Sequence, residues 1–82
     1  MIRILNVNYL ENFKVELTFS DGKVAIFDGN QLLNRKGTLL EPLRDESFFR
    51  RLFIEAGALS WPNGLELSPA KLHETCHEVI AA

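Results

Sequence analysis

With 82 residues the chain has room for one hydrophobic core and no second domain. Nine basic against eleven acidic residues give a formal charge of -2, a balance that argues against an autonomous nucleic-acid binder, which normally shows a basic face. The lone Cys76 excludes an intrachain disulfide and fits a reducing, cytoplasmic setting, while no apolar run approaches the ~18 residues of a membrane span. Asn6 and Asn8 interrupt the N-terminus too early for a signal-peptide core.

Residues 2–10 are rich in β-branched and aromatic types and predict a strand, with Glu11-Asn12 as the following turn. Phe13, Val15, Leu17 and Phe19 then alternate with Lys14, Glu16 and Thr18, the period of a half-buried strand. Asp21-Gly22 suits a two-residue type I′ turn into a return strand at residues 24–27. That loop sets Phe19 opposite Val24 and Leu17 opposite Ile26, placing all four on one face.

Asp28 and Gln31 form an approximate capping box for a short helix that turns Leu32-Leu33 inward and ends at Gly37. Residues 38–43 are expected to be extended, with Pro42 confining them to an edge or loop. Asp45 is the next cap, opening a helix of about two turns with Phe48, Phe49 and Leu52 on one side. Ala56-Gly57 reads as a turn and residues 58–61 as a last strand. Pro62-Asn63-Gly64 is a turn signal, and Ser68-Pro69 caps a final helix expected over about 69–80. Leu72, Cys76, Val79 and Ile80 supply its apolar stripe. The sum is a single α+β domain over residues 1–82, a small antiparallel sheet against two or three short helices.

The order of these signals carries a resemblance. Phe19-Ser20-Asp21-Gly22 comes first, then Phe27-Asp28 leading to Leu32-Leu33, Pro42-Leu43 with an acid and Phe48 following, and last Trp61-Pro62-Asn63-Gly64-Leu65-Glu66-Leu67-Ser68-Pro69. The set resembles the small bacterial domain-of-unknown-function family numbered 2442, over residues 2–73. The resemblance implies a compact α+β domain on an antiparallel sheet and supplies no catalytic residue. Some members carry an added helix-turn-helix and look like transcriptional regulators. Others stand alone beside a gene for a second small protein, an arrangement like a toxin–antitoxin pair. This chain is similar to the stand-alone form, since about nine residues follow His73. One departure is Glu66, where the family usually has Asp.

Few residues suggest chemistry. His73, Cys76 and His77 fall at i, i+3 and i+4, so a continuous helix would bring them to one face. A structural zinc needs a fourth ligand, and the chain has no other Cys or His. Cys76 lies too far from a helix N-terminus to be activated, and Asp45-Glu46 reads as a helix start rather than an acid–base pair. No catalytic, cofactor or metal residue is therefore expected. Trp61 is either a core anchor or a partner-facing residue, and Glu66 has no evident turn role. These two are the candidate partner-binding residues. The expectation is a non-enzymatic protein-interaction module, antitoxin-like, that meets a small protein partner or a second copy. The alternative is a transcription-linked module reaching DNA through Arg35-Lys36 or Arg50-Arg51, or through a partner.

Overall fold

The computed structural model of the chain describes residues 1–79. Its frame is a meander: β1 (Ile4–Tyr9), β2 (Lys14–Phe19) and β3 (Val24–Asp28) pair antiparallel in that order. Val15, Leu17 and Phe19 are wholly buried, as the alternation requires. Phe13 departs from the strand. It belongs to the β1–β2 turn with Asn12, both at positive φ (65° and 50°). Its ring packs edge-on to Phe49 at 5.1 Å, and its N–H donates to the Tyr9 hydroxyl (3.0 Å), contacts that hold an uncommon backbone for an aromatic residue.

The β2–β3 register differs by one residue from the expected one. Thr18 faces Val24, Leu17 faces Ala25 and Val15 faces Phe27. The loop is three residues long: the Gly22 N–H donates to the Phe19 carbonyl (3.0 Å), and the Phe19 N–H to the Lys23 carbonyl (2.8 Å). Only Gly22 takes positive φ (94°), while the Asp21 carboxylate accepts the Lys23 N–H (3.0 Å). Asp21 thus closes a local turn instead of adopting the left-handed geometry of a type I′ turn. Because side chains alternate, the slip exchanges faces. Ala25 and Phe27 join the core, and Val24 and Ile26 lie half-buried on the other side. A two-residue turn with both φ positive does occur, at Ala56 (52°) and Gly57 (81°).

Those two residues join β4 (Phe53–Glu55) to β5 (Ala58–Ser60), and β6 (Glu66–Leu67) completes a second antiparallel sheet in the order β4-β5-β6. The strand foreseen near 58–61 is β5, so it sits in this second sheet. Its turn into β6 repeats the geometry of the first hairpin. The Trp61 N–H meets the Leu65 carbonyl (3.0 Å), the Gly64 N–H meets Trp61 (3.1 Å), Gly64 has φ 94°, and Asn63 Oδ1 accepts from the Leu65 N–H (3.2 Å).

Helices are shorter than the periodicity suggests. The first, α1 (Asn30–Leu33), is one turn with Gly29 as cap; Asp28 instead accepts from the Asn30 N–H and side-chain amide (3.0 and 2.8 Å). Residues expected to be extended form a 3-10 helix, Glu41–Arg44, because Pro42 suits its start. Asp45 caps α2 (Glu46–Phe49) as expected, accepting the Ser47 N–H (3.0 Å), but α2 too is a single turn. The last helix, α3 (Pro69–Thr75), begins at the Ser68 cap and stops five residues before its expected end at 80. Cys76 turns extended (ψ 145°), and β7 (His77–Glu78) pairs with β3 at Ala25 and Ile26. The exposed edge of β3 competes for these backbone groups, since an unpaired edge leaves N–H and C=O unsatisfied. Val79 is accordingly exposed, and the stripe residue Ile80 lies outside the described residues.

The core runs between the sheets. Phe19, Phe49, Leu43, Leu59 and Trp61 are all essentially inaccessible, and Ile4 ties the two sheets together, its N–H donating to the Gly57 carbonyl (2.8 Å). The mixed α+β architecture is as expected, and no described helix is long and apolar enough to cross a membrane.

Candidate functional site

Trp61 and Glu66 end in opposite environments. Trp61 is 1% exposed, packs at a tilt against the Phe49 ring with centroids 5.5 Å apart, and its indole N–H donates to the Phe49 carbonyl (2.9 Å). That pairing satisfies the polar handle of a buried Trp, so its core placement accounts for both ring and N–H. Glu66 is exposed on β6, and its carboxylate forms no hydrogen bond or ion pair with a described residue. It does not tie down the preceding turn. Asn63 does, bonding the Leu65 N–H with its oxygen and the Leu39 carbonyl with its amide (2.9 Å).

Glu66 instead stands on the rim of a groove of about 220 Å³ between α1, α3 and β6. Phe27, Leu32 and Leu72 form its buried floor. Leu32 on α1 and Leu72 on α3 are buried, while Lys71 on α3 and Arg35, just past the end of α1, are exposed at the mouth. Neither cationic side chain is hydrogen-bonded or ion-paired to a described residue. The groove therefore combines an apolar floor with two cations and one carboxylate that no described side chain engages. Arg35 was legible only as half of a basic pair, and Lys71 carried no signal. Nothing in local spacing connects two residues that meet only when α1 and α3 pack over β3.

The other candidates resolve into structural roles. Because α3 ends at Thr75, His73, Cys76 and His77 do not share the helical face that a common ion would need. Among the described residues no group of three His, Cys, Asp or Glu side chains is placed to hold a metal. The half-buried Cys76 has its thiol pKa pushed up by burial, away from nucleophilic activation. His73 joins the helix to the hairpin tip, its Nε2 2.7 Å from Asp21 and its ring edge-on to Phe19 at 4.9 Å. The Lys23 N–H and the His73 contact together hold the Asp21 carboxyl below its usual pKa.

Two basic residues outside the groove lie over aromatic rings. Arg50 lies over the Tyr9 ring (5.2 Å) and Arg51 over Phe48 (5.8 Å). The Tyr9 hydroxyl donates to Glu46, and desolvation together with that acceptor raises its pKa. This arrangement fastens β1 to α2.

The profile of one family, described as a protein of unknown function (DUF2442), matches residues 4–78. No curated protein and no solved structure matches the chain.

Proposed function

Because the chain belongs to the DUF2442 family, whose description assigns no activity, we propose from its own geometry that it is a non-enzymatic protein-interaction module. The carrying observation is the groove at Glu66, where an apolar floor is rimmed by charges that stabilise nothing within the described fold. A buried anchor pocket with a polar rim is the usual anatomy of a small interaction site. Among the described residues the groove is lined by one carboxylate and by neither histidine nor thiol, which favours a binding role over a catalytic one. Within this reading, the partner is a small protein encoded nearby, which this chain neutralises in the manner of an antitoxin. The resemblance to a family in which some members are encoded beside a second small protein supports that part.

The test is co-expression with the products of the neighbouring genes, with a photo-crosslinking amino acid at Gln31 or Glu66 and, as control, at the exposed Asn8 on β1. A stoichiometric partner captured from the groove positions and not from Asn8 is the expected result. Failure to recover such a partner, or capture from Asn8 alone, refutes the assignment.

A further inference from the structure

We infer that the groove takes an extended peptide segment carrying one large apolar side chain beside a carboxylate. This inference rests on the reading of the groove as a protein-docking site. Three observations converge on that occupant.

The first is size. A volume of about 220 Å³ is smaller than the roughly 300–1,000 Å³ of pockets that enclose drug-sized ligands, and it suits a single bulky side chain over Phe27, Leu32 and Leu72. The second is charge. Arg35 and Lys71 at the mouth outnumber Glu66, and neither spends its charge on a described neighbour, so an anionic group beside the anchor is favoured and a cationic one repelled.

The third is the free edge. β6 ends its sheet, with Leu67 paired to Leu59 and the Trp61 N–H bonded to the Leu65 carbonyl. The antiparallel ladder alternates, so the N–H and C=O of Glu66, between those two rungs, face away from β5. They offer one donor and one acceptor to an incoming backbone, as in strand addition. A peptide lying along Glu66 would set its side chain over the apolar floor and its acid toward Arg35 or Lys71.

The experiment is a titration of the full isotope-labelled chain followed by amide chemical shifts, using blocked tripeptides of sequence Asp-Leu-Asp, Lys-Leu-Lys and Asp-Gly-Asp, with N-acetylleucine as a small-carboxylate probe. Asp-Leu-Asp is expected to give saturable shifts at Gln31, Arg35, Glu66 and Lys71 at millimolar concentration, with the other probes weaker. The double variant Arg35→Glu/Lys71→Glu, confirmed folded by circular dichroism, should bind Asp-Leu-Asp about ten-fold more weakly, the effect of two screened charge pairs, and should now accept Lys-Leu-Lys. Equal binding of the acidic and basic peptides, shifts elsewhere on the surface, or no saturation overturns the inference. N-acetylleucine binding as tightly as Asp-Leu-Asp would make the groove a small-molecule site and overturn it as well. A partner crosslinked from the groove without acidic preference refutes this occupant alone. Peptide binding without any protein partner refutes the interaction module instead.

Discussion

Gly29 has ordinary helical dihedrals (φ -66°, ψ -14°), so backbone considerations alone say that alanine there should stabilise the protein by about 0.4–1 kcal/mol through a less flexible unfolded chain. The packing reverses the sign. A Cβ on Gly29 would lie 2.4 and 2.5 Å from the Phe49 ring and 2.7 Å from the Phe13 carbonyl oxygen. Neither neighbour can retreat cheaply. Phe49 is wholly buried and packed against Tyr9, Phe13 and Trp61, while the Phe13 carbonyl accepts the Gly29 N–H at 2.7 Å. Overpacking of this kind costs about 1–3 kcal/mol, so Gly29→Ala should be net destabilising by about 1–2 kcal/mol. In a domain this small that lowers Tm by roughly 4–8 °C per kcal/mol. Urea unfolding followed by circular dichroism is the assay, with the midpoint falling at unchanged slope. Pairing Gly29→Ala with Phe49→Leu should show positive coupling, because the smaller side chain relieves the overlap. A midpoint equal to or above that of the parent would refute the packing argument.

Two further perturbations probe the core and the helix tether. Trp61→Phe removes the indole N–H from the Phe49 carbonyl, which the Leu52 N–H also reaches at 3.3 Å, so the acceptor is not orphaned; with the lost ring volume, a loss of about 2 kcal/mol is expected by chemical denaturation. A change under about 0.5 kcal/mol would mean that Trp61 is not the anchor described. Asp21 has a depressed folded-state pKa, so its stabilising effect is present above the unfolded value near 4 and fades as pH falls through the folded one. Asp21→Asn should therefore flatten the loss of Tm below about pH 4, and parallel acid limbs for parent and variant would remove the basis for this link.

Local rules carried much of the fold. The alternation through Val15, Leu17 and Phe19, the Asp45 cap and the Ser68-Pro69 helix start all appear where they were read. These depend on neighbours within a few residues, and so does the turn chemistry of Asp21-Gly22 and Asn63-Gly64. What local rules left open was which of two permitted arrangements would form. The dipeptide Asp21-Gly22 accommodates a two- or a three-residue loop; the fit of Ala25 and Phe27 into the core selected the longer one. Similarly, α3 could have continued through a run of acceptable helix residues. Backbone pairing along β3 drew residues 77–78 into a strand instead, breaking the arrangement of His73, Cys76 and His77.

The candidate site divides the same way. The unusual position of Glu66 was visible in the chain, but its company was not. Trp61, legible as either anchor or contact, became an anchor because Phe49 supplied both a packing ring and a carbonyl. Residue types and their local order were enough for an α+β domain with turns at Asp21-Gly22 and Asn63-Gly64, since dihedral preference and side-chain alternation act over a few residues. That the second turn closes a hairpin onto β6 was not legible in them. Register, helix length and the meeting of Arg35, Glu66 and Lys71 required the assembled molecule, because each is settled by contacts between segments remote in sequence.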